Sequence, residues 1–114
     1  DQAHHYVTHG MKLGFGGNVT FSRARQIRRL AAELPIESIV LETDAPDIAP
    51  AWLSDDQFGE QHKARNTPAE VVGVARVVAE LRGVSERELA DTMWRNSVAA
   101  LPRLAAFADV MAPR

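Results

Sequence analysis

The feature that most limits the possible folds of this chain is a short apolar run that ends in two carboxylates. Residues 36–43, "IESIVLET", lie between Pro35 and Pro46 and are followed by Asp44. The run is too short for a helix and rich in β-branched residues, which favours a strand. Because its aliphatic residues "IVL" do not alternate with polar ones, we expect burial on both faces, as in a parallel sheet covered by helices.

The residues before this run predict the rest of a βαβ unit. Residues 12–16, "KLGFG", are predicted to form a strand. From Ser22 onward the apolar residues recur with helical spacing, which predicts an amphipathic helix that stops at Pro35. Strand, helix and strand within about 30 residues predict a βαβ unit and an α/β fold. The apolar positions of the helix are Ile27, Leu30, Ala31 and Leu34.

Two later helices are predicted from their start signals. In "TPAE", Thr67 is the predicted N-cap, Pro68 takes the first helical position and Glu70 completes a capping box. Gly83 is predicted to end this helix. The run "SERE", residues 85–88, repeats the capping-box pattern for the last main helix. The inner face of that helix is predicted to carry Leu89, Met93 and Asn96.

Composition excludes several classes of protein. With 114 residues, 46% of them hydrophobic, the chain is predicted to be a single globular domain over residues 1–114. It has no cysteine, so a bound metal must be held by His, Asp or Glu. A net charge of −2 excludes a generally basic protein that coats nucleic acid. No window is apolar enough for a membrane helix, and we expect a cytoplasmic protein with no membrane partner.

The two carboxylates themselves have two interpretations. Glu42 and Asp44 are two residues apart, so their side chains leave the strand on the same side, whereas Thr43 points the other way. Clustered carboxylates at a strand end repel each other, and a divalent cation, or a proton held at a raised pKa, relieves the repulsion. Alternatively, both accept backbone N–H groups in the turn before Pro46 and pair with a nearby arginine. The spacing alone leaves both interpretations open.

A set of motifs resembles one known family. The motifs are "LETDAP", "IAP", "RN-x-P" before a capped helix, "LRGVS-x-x-x-L" and an asparagine in the closing helix. Together they resemble the C-terminal portion of the TatD family of metal-dependent deoxyribonucleases, which are TIM-barrel hydrolases related to the amidohydrolases. "LGFGGNVTF" resembles the seventh strand of that family and "SIVLETD" the eighth. The resemblance runs from about residue 13 to residue 101, and Thr67 departs from it, since the family commonly has an acidic residue there.

The resemblance implies a hydrolase that cleaves DNA or another phosphodiester with the help of a divalent metal ion such as Zn, Mg or Mn. It assigns to Asp44 the roles of metal ligand and general base. Glu42 would orient Asp44 or another ligand, and Arg65 would bind substrate phosphate. An arginine that holds the loop to a strand end is an equally good interpretation of Arg65.

The length of the chain does not match a complete barrel. A (β/α)₈ barrel takes about 250 residues, whereas only two strands are predicted here. We therefore expect a C-terminal fragment of a barrel that lacks the N-terminal segments and most metal ligands. Alone, such a chain is expected to be inactive, and its exposed strand edges are suited to forming oligomers.

Other histidines and aromatic residues have simpler interpretations. The start, "DQAHHYVTHG", is predicted to be a short helix on which His5 and His9 share a face, and a solvated face is favoured over a metal-binding pair. His62 lies in the long predicted loop after Asp44 and is expected to be exposed. Trp52 and Phe58 lie in the same loop. Anchoring the loop to the body of the protein is favoured for them over stacking on a base.

Two further hypotheses belong to other classes of protein. In the first, "GFGGN" after a strand binds phosphate without catalysis, although no complete nucleotide-binding motif is present. In the second, the chain is a non-catalytic association unit. The arginines of the helix after Ser22 are predicted to form an outward, solvated face.

Overall fold

The computed structural model describes residues 2–53 and 65–107, and these ranges contain four α-helices and two β-strands. In chain order they are α1 (Gln2–Thr8), β1 (Leu13–Phe15), α2 (Arg25–Glu33), β2 (Ile39–Leu41), α3 (Val71–Arg82) and α4 (Glu86–Ala100). Short 3-10 turns join several of them. None of the helices in the described ranges is long and apolar enough to cross a membrane.

The two strands pair in parallel, with α2 between them along the chain, so the predicted βαβ unit is confirmed. Leu13 is opposite Ile39 and Phe15 is opposite Leu41. The pairing continues one residue beyond β2, because the amide of Glu42 donates to the carbonyl oxygen of Phe15 at 3.0 Å. Parallel strands end at the same edge of a sheet, so this edge carries the residues that follow both strands.

The second strand is shorter than predicted. Residues 36–38, expected to be extended, form a 3-10 turn instead. The amide and the hydroxyl of Ser38 both donate to the carbonyl oxygen of Pro35, at 2.9 and 2.6 Å. A serine that bonds to nearby backbone in this way offers the chain a turn in place of a strand, which explains the difference.

The core lies on one face of the two-stranded sheet. Phe15 and Ile39 are buried there. Gly14, on the opposite face, is exposed and Val40 is only half-buried, so the expectation that both faces are buried is wrong for this chain. The helices and the residue that follows α2 cover the first face with Ala31, Leu34, Val74, Val78, Leu89 and Met93.

Helix α4 begins and packs as predicted. Its N-terminus is a complete capping box: the hydroxyl of Ser85 accepts from the amide of Glu88 at 3.1 Å, and the Glu88 carboxylate accepts from the amide of Ser85 at 3.3 Å. The three predicted inner residues are buried. One of them, Asn96, donates through Nδ2 to the carbonyl oxygens of Ile36 and Ile39, both at 2.7 Å, and thereby ties α4 to the start of β2.

Helix α3 ends as predicted but begins differently. Gly83 takes the left-handed conformation, with φ of 67°, and ends the helix. At the other end, residues 68–70 form a 3-10 turn, and Thr67 makes no side-chain capping bond. The predicted capping box is therefore wrong. The carboxylate of Glu70 instead accepts a long hydrogen bond, 3.4 Å, from the indole Nε1 of Trp52.

Candidate metal and catalytic site

The two carboxylates that follow β2 lie together at the edge of the sheet where the strands end. Glu42 and Asp44 are exposed, and both line an open cavity of about 640 Å³. The residues after β1, Gly16 and Gly17, line the same cavity. This is the end of a parallel sheet at which α/β proteins collect their catalytic residues. The sequence placed both carboxylates on one side of the chain, and their shared cavity agrees with that expectation.

The side chain of Glu42 occupies space that the glycines of β1 leave free. A Cβ atom added to Gly16 would lie 2.3 Å from Oε1 of Glu42 and 2.9 Å from its Cδ atom. One added to Gly14 would lie 3.1 Å from the Cγ atom of Glu42. Real Cβ atoms do not approach other atoms as closely as 2.3 Å, so the glycine at position 16 is what lets Glu42 lie across β1.

The loop that follows Asp44 is packed against the segment after β1. A Cβ atom on Gly17 would lie 2.2 Å from the carbonyl oxygen of Ile48. The hydroxyl of Thr20 donates to the carbonyl oxygen of Gly17 at 2.6 Å and accepts from the amide of Ala51 at 2.8 Å. Ile48 itself has φ of +46°, which a β-branched residue adopts only when its surroundings enforce it.

These contacts disfavour a phosphate cradle in "GFGGN". A cradle needs backbone N–H groups around an open space. Here the space beside Gly16 holds the carboxylate of Glu42, and the space beside Gly17 holds a carbonyl oxygen. Both groups are hydrogen-bond acceptors and would repel a phosphate.

A buried asparagine fixes the turn that begins at Asp44. The amide of Asp47 donates to the carbonyl oxygen of Asp44 at 2.7 Å and closes the turn, which contains a cis peptide bond before Pro46. Asn66, only 4% exposed, donates through Nδ2 to the carbonyl oxygen of Asp47 at 2.8 Å. This bond brings the segment that begins at Arg65 next to the turn.

Arg65 is exposed and does not line the cavity of the carboxylates. Its neighbour Asn66 is attached to the Asp44 turn, so the backbone of Arg65 lies near the site. The role of Arg65 in binding phosphate stays a prediction. His62 and Phe58 lie outside the described residues.

The arginines of α2 differ in their surroundings. Arg25 is exposed, as predicted. Arg28 is half-buried and donates to the carbonyl oxygen of Val19 at 2.7 Å, so it belongs to the packing of the segment after β1. Arg29 is exposed but lines the cavity of the carboxylates. The predicted outward, solvated face is therefore wrong for Arg28 and incomplete for Arg29.

His5 in α1 and His9 just after it do not join the carboxylates. His5 and His9 are exposed, with ring centroids 4.4 Å apart, and neither lines the cavity. Nδ1 of His9 lies 2.9 Å from the carbonyl oxygen of His5. Within residues 2–53 and 65–107, no three His, Cys, Asp or Glu side chains come together as a possible metal site.

The donors at the cavity fit a hard divalent cation as a partial set. Carboxylate oxygens are the ligands that such cations prefer, and Asp44 offers them at an exposed position beside Glu42. A cation held by protein needs about three or more donors, so the described residues supply only a share.

Trp52 anchors its loop to the body of the protein, which is the interpretation that the sequence favoured. A Cβ atom on Gly73 would lie 2.4 Å from Cζ2 of Trp52, so the indole packs directly on α3 at a position where only glycine leaves room. Together with its hydrogen bond to Glu70, this contact pins the loop to the body of the protein.

Sequence reasoning missed two parts of the site. It assigned no function to Asn66, although a polar residue directly before an N-cap and after a long loop is a signal for such a contact. It also treated the glycines after β1 as possible ligand-binding residues, whereas they make room for Glu42 and for the loop at Ile48.

A model of one protein family, described as "TatD related DNase", matches residues 1–102. A Haemophilus influenzae protein named as an uncharacterized metal-dependent hydrolase is 34% identical over 97 residues, which are 85% of this chain and 34% of that protein. The metal-dependent hydrolase YjjV of Escherichia coli is 38% identical over 96 residues, which are 84% of this chain and 34% of YjjV. The chain thus spans about a third of the length of the curated relatives it matches.

Solved structures show the same relationship in three dimensions. The crystal structure of YjjV, a TatD homologue, superposes with a TM-score of 0.72 at 33% identity, over 87% of this chain and 35% of YjjV. A TatD family hydrolase from Entamoeba histolytica superposes with a TM-score of 0.65 at 18% identity, over 87% of this chain and 38% of the other, which supports the fold alone. The two parallel strands and their helices are therefore part of a TIM barrel. With the family match over residues 1–102 and relatives above 30% identity over most of its length, the chain belongs to the TatD-related DNase family.

Proposed function

We propose that this chain supplies the C-terminal part of a metal-dependent hydrolase that cleaves phosphodiester bonds, with DNA as the substrate class. The observation that carries the proposal is the position of Asp44, three residues beyond the end of β2, where it lines an open cavity together with Glu42. Membership of a family described as TatD-related DNase supports the substrate class. Two relatives are named metal-dependent hydrolases, which supports a requirement of the proposed enzyme for a metal ion.

In this proposal Asp44 holds the metal through a carboxylate oxygen and takes the proton from the attacking water. A divalent metal, when bound, lowers the pKa of a coordinated water towards 7 and attracts the oxygens of the scissile phosphate. In this role Asp44 would accept that proton on an oxygen of its carboxylate. The other metal ligands would come from parts of the barrel outside this chain.

Glu42 would set the orientation of the site and would not react itself. Its carboxylate lies across β1 in the space that Gly16 leaves free, and groups that orient metal ligands commonly lie one shell beyond them. Arg65 would bind a substrate phosphate through the paired N–H groups of its guanidinium group. Its proximity to the Asp44 turn, through Asn66 and Asp47, supports this role.

The test uses the longer protein of which this chain is proposed to be the C-terminal part. We expect hydrolysis of a phosphodiester substrate that chelator abolishes and that Zn²⁺, Mn²⁺ or Mg²⁺ restores. Because a positioned general base contributes a factor of about 10²–10⁴, Asp44→Asn should lower kcat at least about 100-fold with the fold intact by circular dichroism.

Asp47→Asn is the matched control, since it makes the same change three residues away at an exposed position whose backbone, and not its side chain, closes the turn. It should keep most of the activity. Full activity of Asp44→Asn, or activity of the wild type in chelator, would refute the proposal.

A further inference from the structure

The strongest feature that the proposed mechanism leaves unused is the buried side chain of Asn66. It is 4% exposed although it directly follows the exposed Arg65. Its Nδ2 atom donates to the carbonyl oxygen of Asp47 at 2.8 Å, whereas its Oδ1 atom is buried without a partner among the described residues. Burying Oδ1 without a partner costs free energy. The hydrogen bond that Nδ2 makes to Asp47 is the interaction that favours this buried position.

The bond reaches Asp44 in two steps. The side chain of Asn66 donates to the carbonyl oxygen of Asp47. The backbone amide of Asp47 in turn donates to the carbonyl oxygen of Asp44 at 2.7 Å. A turn closed by one internal hydrogen bond fixes its own shape but not its orientation relative to the protein. The bond from Asn66 connects the turn to the segment that begins at Arg65.

The segments on either side of the turn are anchored by other groups. Before it, the amide of Glu42 is paired with β1. After it, the loop from Ile48 to Ala51 packs on Gly17 and is bonded to Thr20. Between these two anchors, the bond from the Asn66 side chain to the Asp47 carbonyl oxygen is the side-chain hydrogen bond that the described residues make to residues 43–47.

We propose that Asn66 is a positioning residue, which directs the Asp44 carboxylate into the cavity by fixing the turn of residues 44–47. This inference rests on the proposed function of Asp44. The Asn66 amide is suited to the task because its NH₂ group must face the Asp47 carbonyl; the reverse orientation would oppose two acceptor oxygens. The substitution Asn66→Asp keeps the shape of the side chain but replaces the NH₂ donor with a carboxylate oxygen, which is an acceptor and faces the carbonyl oxygen of Asp47.

A second buried asparagine provides a matched control. Asn96 also donates through Nδ2 to backbone carbonyl oxygens, at 2.7 Å, but these belong to Ile36 and Ile39 at the opposite end of β2. Asn96→Asp therefore makes the same chemical change at a similarly buried site, 6% exposed, that does not hold the turn. A purely structural role for Asn66 would give the two variants the same behaviour.

The experiment compares both variants with the wild type in the longer protein. Amide hydrogen exchange without metal measures the protection of the Asp47 amide, and calorimetric titration with Zn²⁺ and Mn²⁺ measures metal affinity. For Asn66→Asp we expect protection of Asp47 to fall at least about 10-fold. Metal affinity should fall about 10–100-fold, the usual effect of losing a group that orients a ligand, and kcat should fall while KM stays within about twofold. Asn96→Asp should lower thermal stability but leave metal affinity and Asp47 protection near wild type.

The outcomes separate this inference from the proposed function. A wild type that binds neither metal refutes the function, and with it the inference, before any variant is measured. If the wild type binds metal, unchanged Asp47 protection in Asn66→Asp overturns the inference alone, and so does equal loss of affinity in both variants. If an aspartate variant does not fold, Asn66→Ser and Asn96→Ser repeat the comparison without added charge.

Discussion

Two glycines at this site, Gly16 and Gly17, leave room for atoms of neighbouring segments. Gly16 is small because the carboxylate of Glu42 lies where its side chain would be, and Gly17 is small because the carbonyl group of Ile48 lies against it. Neither glycine has a positive φ angle, so backbone freedom does not account for them. Close approach of another segment does.

The contact between Gly16 and Glu42 gives a prediction at the residue scale. Gly16→Ala should destabilise the protein by about 1–3 kcal/mol, the cost of inserting a methyl group into a filled space, and should lower activity by displacing Glu42. In a Glu42→Ala background the same substitution should cost less, because the Oε1 and Cδ contacts are gone and only the contact with the carbonyl oxygen of Glu42, at 2.9 Å, remains.

Denaturant unfolding of the four proteins in this cycle measures the coupling, which we expect to be about 0.5 kcal/mol or more. Purely additive effects would show that Glu42 does not occupy the space beside Gly16.

Single elements show how the same start signal can lead to two different structures. "SERE" forms a complete capping box, whereas "TPAE" begins with a 3-10 turn and an uncapped Thr67. In the second case the amide of Glu70 donates to the carbonyl oxygen of Thr67 at 3.0 Å and not to its hydroxyl, and the Glu70 carboxylate accepts from Trp52, in another part of the chain. A local signal is reliable where no distant group competes for the same side chain.

The two caps give a prediction at this scale. Ser85→Ala should destabilise the protein by about 1 kcal/mol, because it removes the bond to the Glu88 amide. Thr67→Ala should cost at most a few tenths of a kcal/mol, because Thr67 makes no side-chain capping bond. Thermal unfolding compares the two, and a larger loss for Thr67→Ala would contradict the observed caps. Neither substitution should change activity, since neither residue lines the cavity.

The whole molecule has a sheet with one covered and one open face. Phe15 and Ile39 are buried, while Gly14 and Glu42 are exposed at the other face. In a TIM barrel the second face points into the barrel interior, where side chains from the other strands fill the space. In the part of the chain that the structure describes, which contains two strands, this space is open.

The prediction at this scale concerns the 114-residue chain by itself. We expect no hydrolysis of phosphodiesters and metal binding at least about 100-fold weaker than in the longer protein, because Asp44 is the single proposed ligand of this chain and a cation needs several. Circular dichroism checks that the chain is folded, and calorimetric titration with Mn²⁺ and a phosphodiester assay measure the two properties. Turnover by the isolated chain at the rate of the longer protein would show that its own residues complete the site.

The sequence by itself determined the βαβ unit, the parallel pairing, the ends of α2 and α3, and the placing of Asp44 beyond the second strand; it predicted Glu42 inside that strand, which ends at Leu41. These follow from local physics: hydrophobic period, proline stops, a glycine cap and the alternation of side chains along a strand. Only the tertiary structure decided that Glu42 lies across Gly16, that Asn66 holds the Asp44 turn, and that the Glu70 carboxylate accepts from Trp52. Each of these contacts joins residues 18 to 26 positions apart in sequence, and local patterns cannot say which distant group will arrive at a given atom.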